Sequence, residues 1–82
     1  MVTIFVPDLP EFAPLIEGAR KVGSRIEPPV GGYWRIVADE EIRVRRKELG
    51  LGPALWNSAL TGGFIGRIVE YDRDTLCIRN KD

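Results

Sequence analysis

Residues 33–45 read YWRIVADEEIRVR, and the fold turns on how this stretch is arranged. Trp34, Ile36 and Ala38 alternate with Tyr33, Arg35 and Val37, the period of a strand whose successive side chains point to opposite faces. Ile42 and Val44 alternate in the same way with Arg43 and Arg45, and Asp39, Glu40 and Glu41 between the two runs supply polar turn residues. The stretch is therefore expected to form a β-hairpin.

Toward the N-terminus, Pro28, Pro29, Gly31 and Gly32 form the strongest punctuation in the chain and are expected to make a loop that sets off a short edge strand at Arg25 to Glu27. Before that strand, Phe12, Leu15, Ile16 and Ala19 recur at i, i+3, i+4 and i+7, one apolar stripe of a helix that Gly23 would stop. Asp8 and Glu11 precede the stripe at the spacing of a capping box, with a carboxylate as its first member. Pro14 is tolerated in a first turn, whose amides have no intrahelical acceptor. Val2 to Val6 is a β-branched and aromatic run closed by Pro7, suited to a first strand buried on both faces.

Toward the C-terminus, Pro53 suits a first helical turn, and Leu51, Leu55 and Ala59 beside Trp56, Leu60 and Phe64 predict a second, apolar helix ended by Gly62 and Gly63. Arg67 to Tyr71 and Thr75 to Arg79, around Asp72, Arg73 and Asp74, predict a closing hairpin. The expected architecture is one α+β domain over residues 1–82 in the order β-α-β-β-α-β-β, a largely antiparallel sheet packed against two helices, with no separate linker or transmembrane segment.

A chain of 82 residues supports one core, because independent cores need roughly 50 residues or more each. Burial is modest at this size, so self-association is a natural source of additional burial. Twelve basic residues balance twelve acidic ones, leaving no net positive field to gather phosphate backbones or anionic lipid. The single cysteine, Cys77, excludes an internal disulfide and a cysteine-rich zinc site, and a cytoplasmic location follows as the expectation. Met1 to Val6 has no basic leader and only a brief apolar run, which predicts neither a signal peptide nor a membrane span.

The chain contains no histidine, which removes the commonest general acid/base and a major metal ligand. Cys77 lies between Leu76 and Ile78 in an apparent strand, and it reads as a structural thiol. Carboxylate chemistry needs no histidine, but Asp39, Glu40 and Glu41 are consecutive in an expected turn, the setting of a solvated acidic corner. Residues 61–66, TGGFIG, have the glycine content of a dinucleotide-binding loop in the reverse context. That loop needs a strand before it and a helix after it, so that helix amides meet the pyrophosphate.

Arg43, Arg45 and Lys47 would share one face of a strand, with Tyr33 and Arg35 on its neighbour. This basic and aromatic surface is the strongest candidate binding site, and its arginines suit carboxylate or phosphate groups. Trp56, beside the polar Asn57 and Ser58, is a candidate interface residue. The expected function is a non-catalytic binding or assembly module, acting through a protein partner or homo-oligomer, with no cofactor, no metal and no membrane contact. One alternative is single-stranded nucleic-acid binding through the basic and aromatic face. The other is a small enzyme using carboxylate or arginine chemistry.

Overall fold

A computed structural model describes residues 1–81 of the chain. The first strand, β1 (Val2–Pro7), buries Val2, Thr3, Ile4 and Val6, as its β-branched run predicts. A 3-10 turn at Pro10–Phe12 leads into α1 (Ala13–Lys21), with Pro14 in the first turn and Gly23 at a φ of 96° beyond the end. Phe12, Leu15, Ile16 and Ala19 are all buried, so the apolar stripe faces the core. The capping box does not form. Neither helical segment has a side-chain cap; Asp8 Oδ1 instead accepts the indole N–H of Trp34 at 2.9 Å.

Strand β2 (Arg25–Val30) is longer than expected, because the chain stays extended through Pro28 and Pro29. These prolines are tolerated on an edge strand, where the missing N–H faces outward. Gly31 and Gly32, at φ of 63° and 86°, form the two-residue turn into β3 (Tyr33–Ala38), with Val30 opposite Tyr33. Paired positive φ values are what a tight hairpin turn requires.

The expected hairpin between residues 33–38 and 42–45 is not present. Strand β3 pairs antiparallel with β2 on one side and β1 on the other, so neither edge is open to β4 (Glu41–Arg45). Asp39 and Glu40 also lack the positive φ of a two-residue hairpin turn, since among the described residues only glycines adopt positive φ. The chain runs through them from one sheet into another. The strand expected at Arg43 to Lys47 ends at Arg45, and Lys47 belongs to α2 (Arg46–Leu49), which Gly50 closes in the left-handed conformation.

The second apolar helix is also shorter than expected. Helix α3 (Pro53–Asn57) gives way to turns in which Ser58 Oγ donates to the Ala54 carbonyl and Thr61 Oγ1 to the Ser58 carbonyl. Such side chains compete for the backbone acceptors that a continuing helix would use. Phe64, assigned to that helix from spacing, lies instead in β5 (Phe64–Ile65), which leads through Gly66 into β6 (Arg67–Tyr71). The closing hairpin of β6 and β7 (Thr75–Arg79) forms as expected.

The α+β class and approximate order therefore hold, with the strands divided between two antiparallel sheets, β2-β3-β1-β5 and β4-β7-β6. Three stretches cross between the sheets: Asp39–Glu40, the segment 46–63 that carries α2 and α3, and Gly66. Gly66 has a φ of 141°, and a Cβ there would lie 2.7 Å from Ile78 Cγ2 and 2.9 Å from the Arg79 carbonyl oxygen. One buried cluster joins the sheets to α1, with Ile4 and Ile36 from the first sheet and Ile42, Leu76 and Ile78 from the second. No helix among the described residues is long and apolar enough to cross a membrane.

Candidate functional site

The basic and aromatic residues picked out by alternation are divided between the sheets. Tyr33 and Arg35 stand on β3, Arg43 and Arg45 on β4, and Lys47 on α2. They form no shared strand face. Each arginine also has a carboxylate of its own. Arg35 lies 3.0 Å from Glu27, its opposite number on β2. Arg43 is 3.6 Å from Glu41 and 3.7 Å from Glu70, and Arg45 is 4.0 Å from Glu48. Arg45 and Lys47 do line one surface depression, which they share with Glu48 and Asp74. The resulting surface is one of balanced charge, which weakens the electrostatic case for a nucleic-acid platform.

Trp56 is 1% exposed, its ring packed within the domain. Its indole N–H donates to the Asp72 carbonyl at 2.6 Å, while the Tyr71 hydroxyl donates to the Trp56 carbonyl at 2.7 Å. The two rings meet edge to face with centroids 6.1 Å apart. Burial raises the Tyr71 phenol above its ordinary pKa. Asp72 Oδ1 accepts the amides of Asp74 and Thr75, each at 2.8 Å, and these two bonds hold its carboxyl below the usual range. Trp56, Tyr71 and Asp72 thus fix α3 to the last hairpin.

The acidic corner is engaged by arginines. Asp39 lies 3.3 Å from Arg25, and Glu41 contacts both Arg43 and Arg79. Cys77, fully buried, donates its thiol to Glu41 Oε1 at 3.5 Å. Burial first, and then the Glu41 carboxylate, push the thiol pKa up, which favours the unreactive protonated form. The described residues contain no cluster of three or more cysteine, aspartate or glutamate side chains placed to hold a metal ion.

The surface that stands out was not among the sequence candidates. Phe64, Ile65, Ile68 and Val69 are 36%, 50%, 42% and 47% exposed, four large apolar side chains within six residues. They lie on β5 and β6, each the terminal strand of its sheet. The other two edges are protected in ways that soluble sheets commonly use. Strand β2 carries Pro28 and Pro29; β4 exposes Glu41, Arg43 and Arg45 and packs near α1 and α2. Strand β6 bears a register shift between Ile68 and Glu70, a bulge that inserts Val69. The sequence signal was FIGRIV, an apolar run around a glycine that fits neither strict alternation nor a helical stripe.

Compared with known proteins, the chain matches no family model and no curated protein sequence.

Proposed function

We propose that this chain is a non-catalytic protein-binding module whose binding element is the open edge of β6. The observation carrying this reading is the contrast in apolar exposure between edges: β2 and β4 are blunted by prolines or charges, whereas Phe64–Ile65 on β5 and Ile68–Val69 on β6 are two exposed apolar pairs. An unpaired edge offers main-chain amides and carbonyls to an incoming strand, and apolar side chains beside it supply the burial that makes addition favourable. The commitment of the acidic corner to ion pairs and of Cys77 to a buried, protonated thiol supports a non-catalytic role. The free thiol, without a disulfide partner, supports a cytoplasmic setting.

A photo-cross-linking amino acid placed at Val69, compared with one at the exposed Lys21 on α1, tests this reading in the native host. Protein adducts are expected at position 69 and not at 21, and Ile68→Asp should abolish them. Adducts at neither position, or equally at both, would overturn it.

A further inference from the structure

Resting on the reading of β6 as a binding edge, we infer that its occupant is a second copy of this chain. Two β6 strands pair antiparallel about a twofold axis, with Arg67 facing Glu70 of the partner subunit and Ile68 facing Val69 of the partner subunit.

The segment 67–70 reads Arg-Ile-Val-Glu, which is self-complementary when one copy is reversed against another. Cationic and anionic ends exchange, and the two apolar residues meet in the centre. Opposite charges directly across an antiparallel pair are favourable, and a twofold axis makes each such contact twice.

The bulge makes this register geometrically consistent. Arg67 sits opposite Arg79, and Glu70 opposite Cys77. Residues 77 and 79 are two apart in β7 and share a face, so Arg67 and Glu70 share that face although they are three apart. In a regular strand they would point to opposite faces. The inserted Val69 brings both charges to the side on which a reversed copy presents theirs.

Among the described residues, Arg67 also lacks compensation from its own chain. Its cross-strand neighbour is another arginine, and the nearby Glu41 is 3.6 Å from Arg79. Among the described residues no carboxylate lies within ion-pairing distance of Arg67, although Glu40 lines the same depression. A reversed copy supplies the missing carboxylate. With a formal net charge of +0, two copies approach without long-range repulsion.

The pairing uses one edge per molecule and therefore closes as a dimer instead of extending into a filament. A contact built on a five-residue strand is small beside the roughly 1,200–2,000 Å² of a stable interface, which sets the expected affinity in the micromolar range.

Light scattering after size exclusion, over micromolar to near-millimolar concentrations, tests the pairing with wild type, Arg67→Glu and Glu70→Arg. Wild type should dimerise with concentration, and each variant alone should weaken the dimer by about tenfold or more, since two attractive contacts become repulsive. An equimolar mixture of the variants should recover a dimer containing one copy of each, because both contacts are again of opposite sign. Glu70→Arg also removes the contact with Arg43, but that loss persists in the mixture and cannot produce the recovery. Val69→Lys, at the exposed inserted residue, should weaken the dimer with the thermal midpoint of the dilute monomer unchanged. A wild type that stays monomeric, a dimer indifferent to both charge variants, or a mixture that fails to recover would each overturn self-pairing. A monomer whose position 69 still cross-links to a different protein would leave the binding edge standing and remove only the second copy as its occupant.

Discussion

Substituting Gly66 by alanine should cost more stability than the same change at Gly23, and the difference measures how tightly the two sheets meet. Both glycines have positive φ, 141° at Gly66 and 96° at Gly23, so alanine is strained at each. Both substitutions also reduce the freedom of the unfolded chain by a similar amount, which cancels in the comparison. The surroundings differ. A Cβ on Gly23 has no neighbour within 4 Å, whereas on Gly66 it would lie 2.7 Å from Ile78 Cγ2 and 2.9 Å from a backbone oxygen. Neither neighbour yields easily, because Ile78 is fully buried and the Arg79 carbonyl belongs to β7. Backbone strain of about 1–3 kcal/mol applies to both, and overpacking adds a further ~1–3 kcal/mol at Gly66 alone. For a domain of this size the added term corresponds to a thermal midpoint lower by roughly 4–24 °C. Urea and thermal denaturation of both variants and the wild type, at concentrations where the chain is monomeric, give the comparison directly. Equal losses for Gly66→Ala and Gly23→Ala would refute the close approach of β5–β6 to β7, and with it the geometry that carries β6 to its edge.

Trp56→Phe keeps most of the buried ring but removes the bond to the Asp72 carbonyl, and urea titration should show a loss of about 1–3 kcal/mol with native circular dichroism retained. The Asp72 carboxyl is depressed in the folded state by two backbone amides, so its stabilisation is present above the unfolded carboxylate value of about 3.9 and lost as pH falls through the lower folded value. Asp72→Ala should accordingly flatten the acid limb of a stability profile; an unchanged limb would show that the hairpin carboxylate does not contribute. Cys77 has its pKa raised by folding, so its contribution is present below the unfolded thiol value of about 8.5 and is lost as pH rises through the folded one. Cys77→Val should therefore reduce the alkaline slope, leaving the share due to Tyr71, and a disulfide reagent should modify the wild-type thiol far more slowly in buffer than in urea.

Local chemistry made several elements legible. The β-branched run of β1, the apolar stripe of α1 and the Asp72–Asp74 turn are specified by neighbours in the chain, and each appears where its pattern places it. The α2 turn and the early end of α3 were less legible, because short helical segments depend on what their few side chains and backbone groups meet. The candidate site was read least well. Alternation identified the outward-facing arginines, but it carries no information about which carboxylate ends up beside each one.

Residues 33–45 mark the boundary between the two kinds of information. The sequence alone determined that both runs are strands, because an alternating pattern defines two faces whichever partner is found. Only the tertiary structure decided which strands they join. With β1 and β2 occupying both edges of β3, the chain must pass through Asp39 and Glu40 into the second sheet. Pairing of this kind is settled by competition among distant segments for a strand's two hydrogen-bonding edges. That competition separates Tyr33 and Arg35 from Arg43 and Arg45, and it leaves β6 with one edge unpaired.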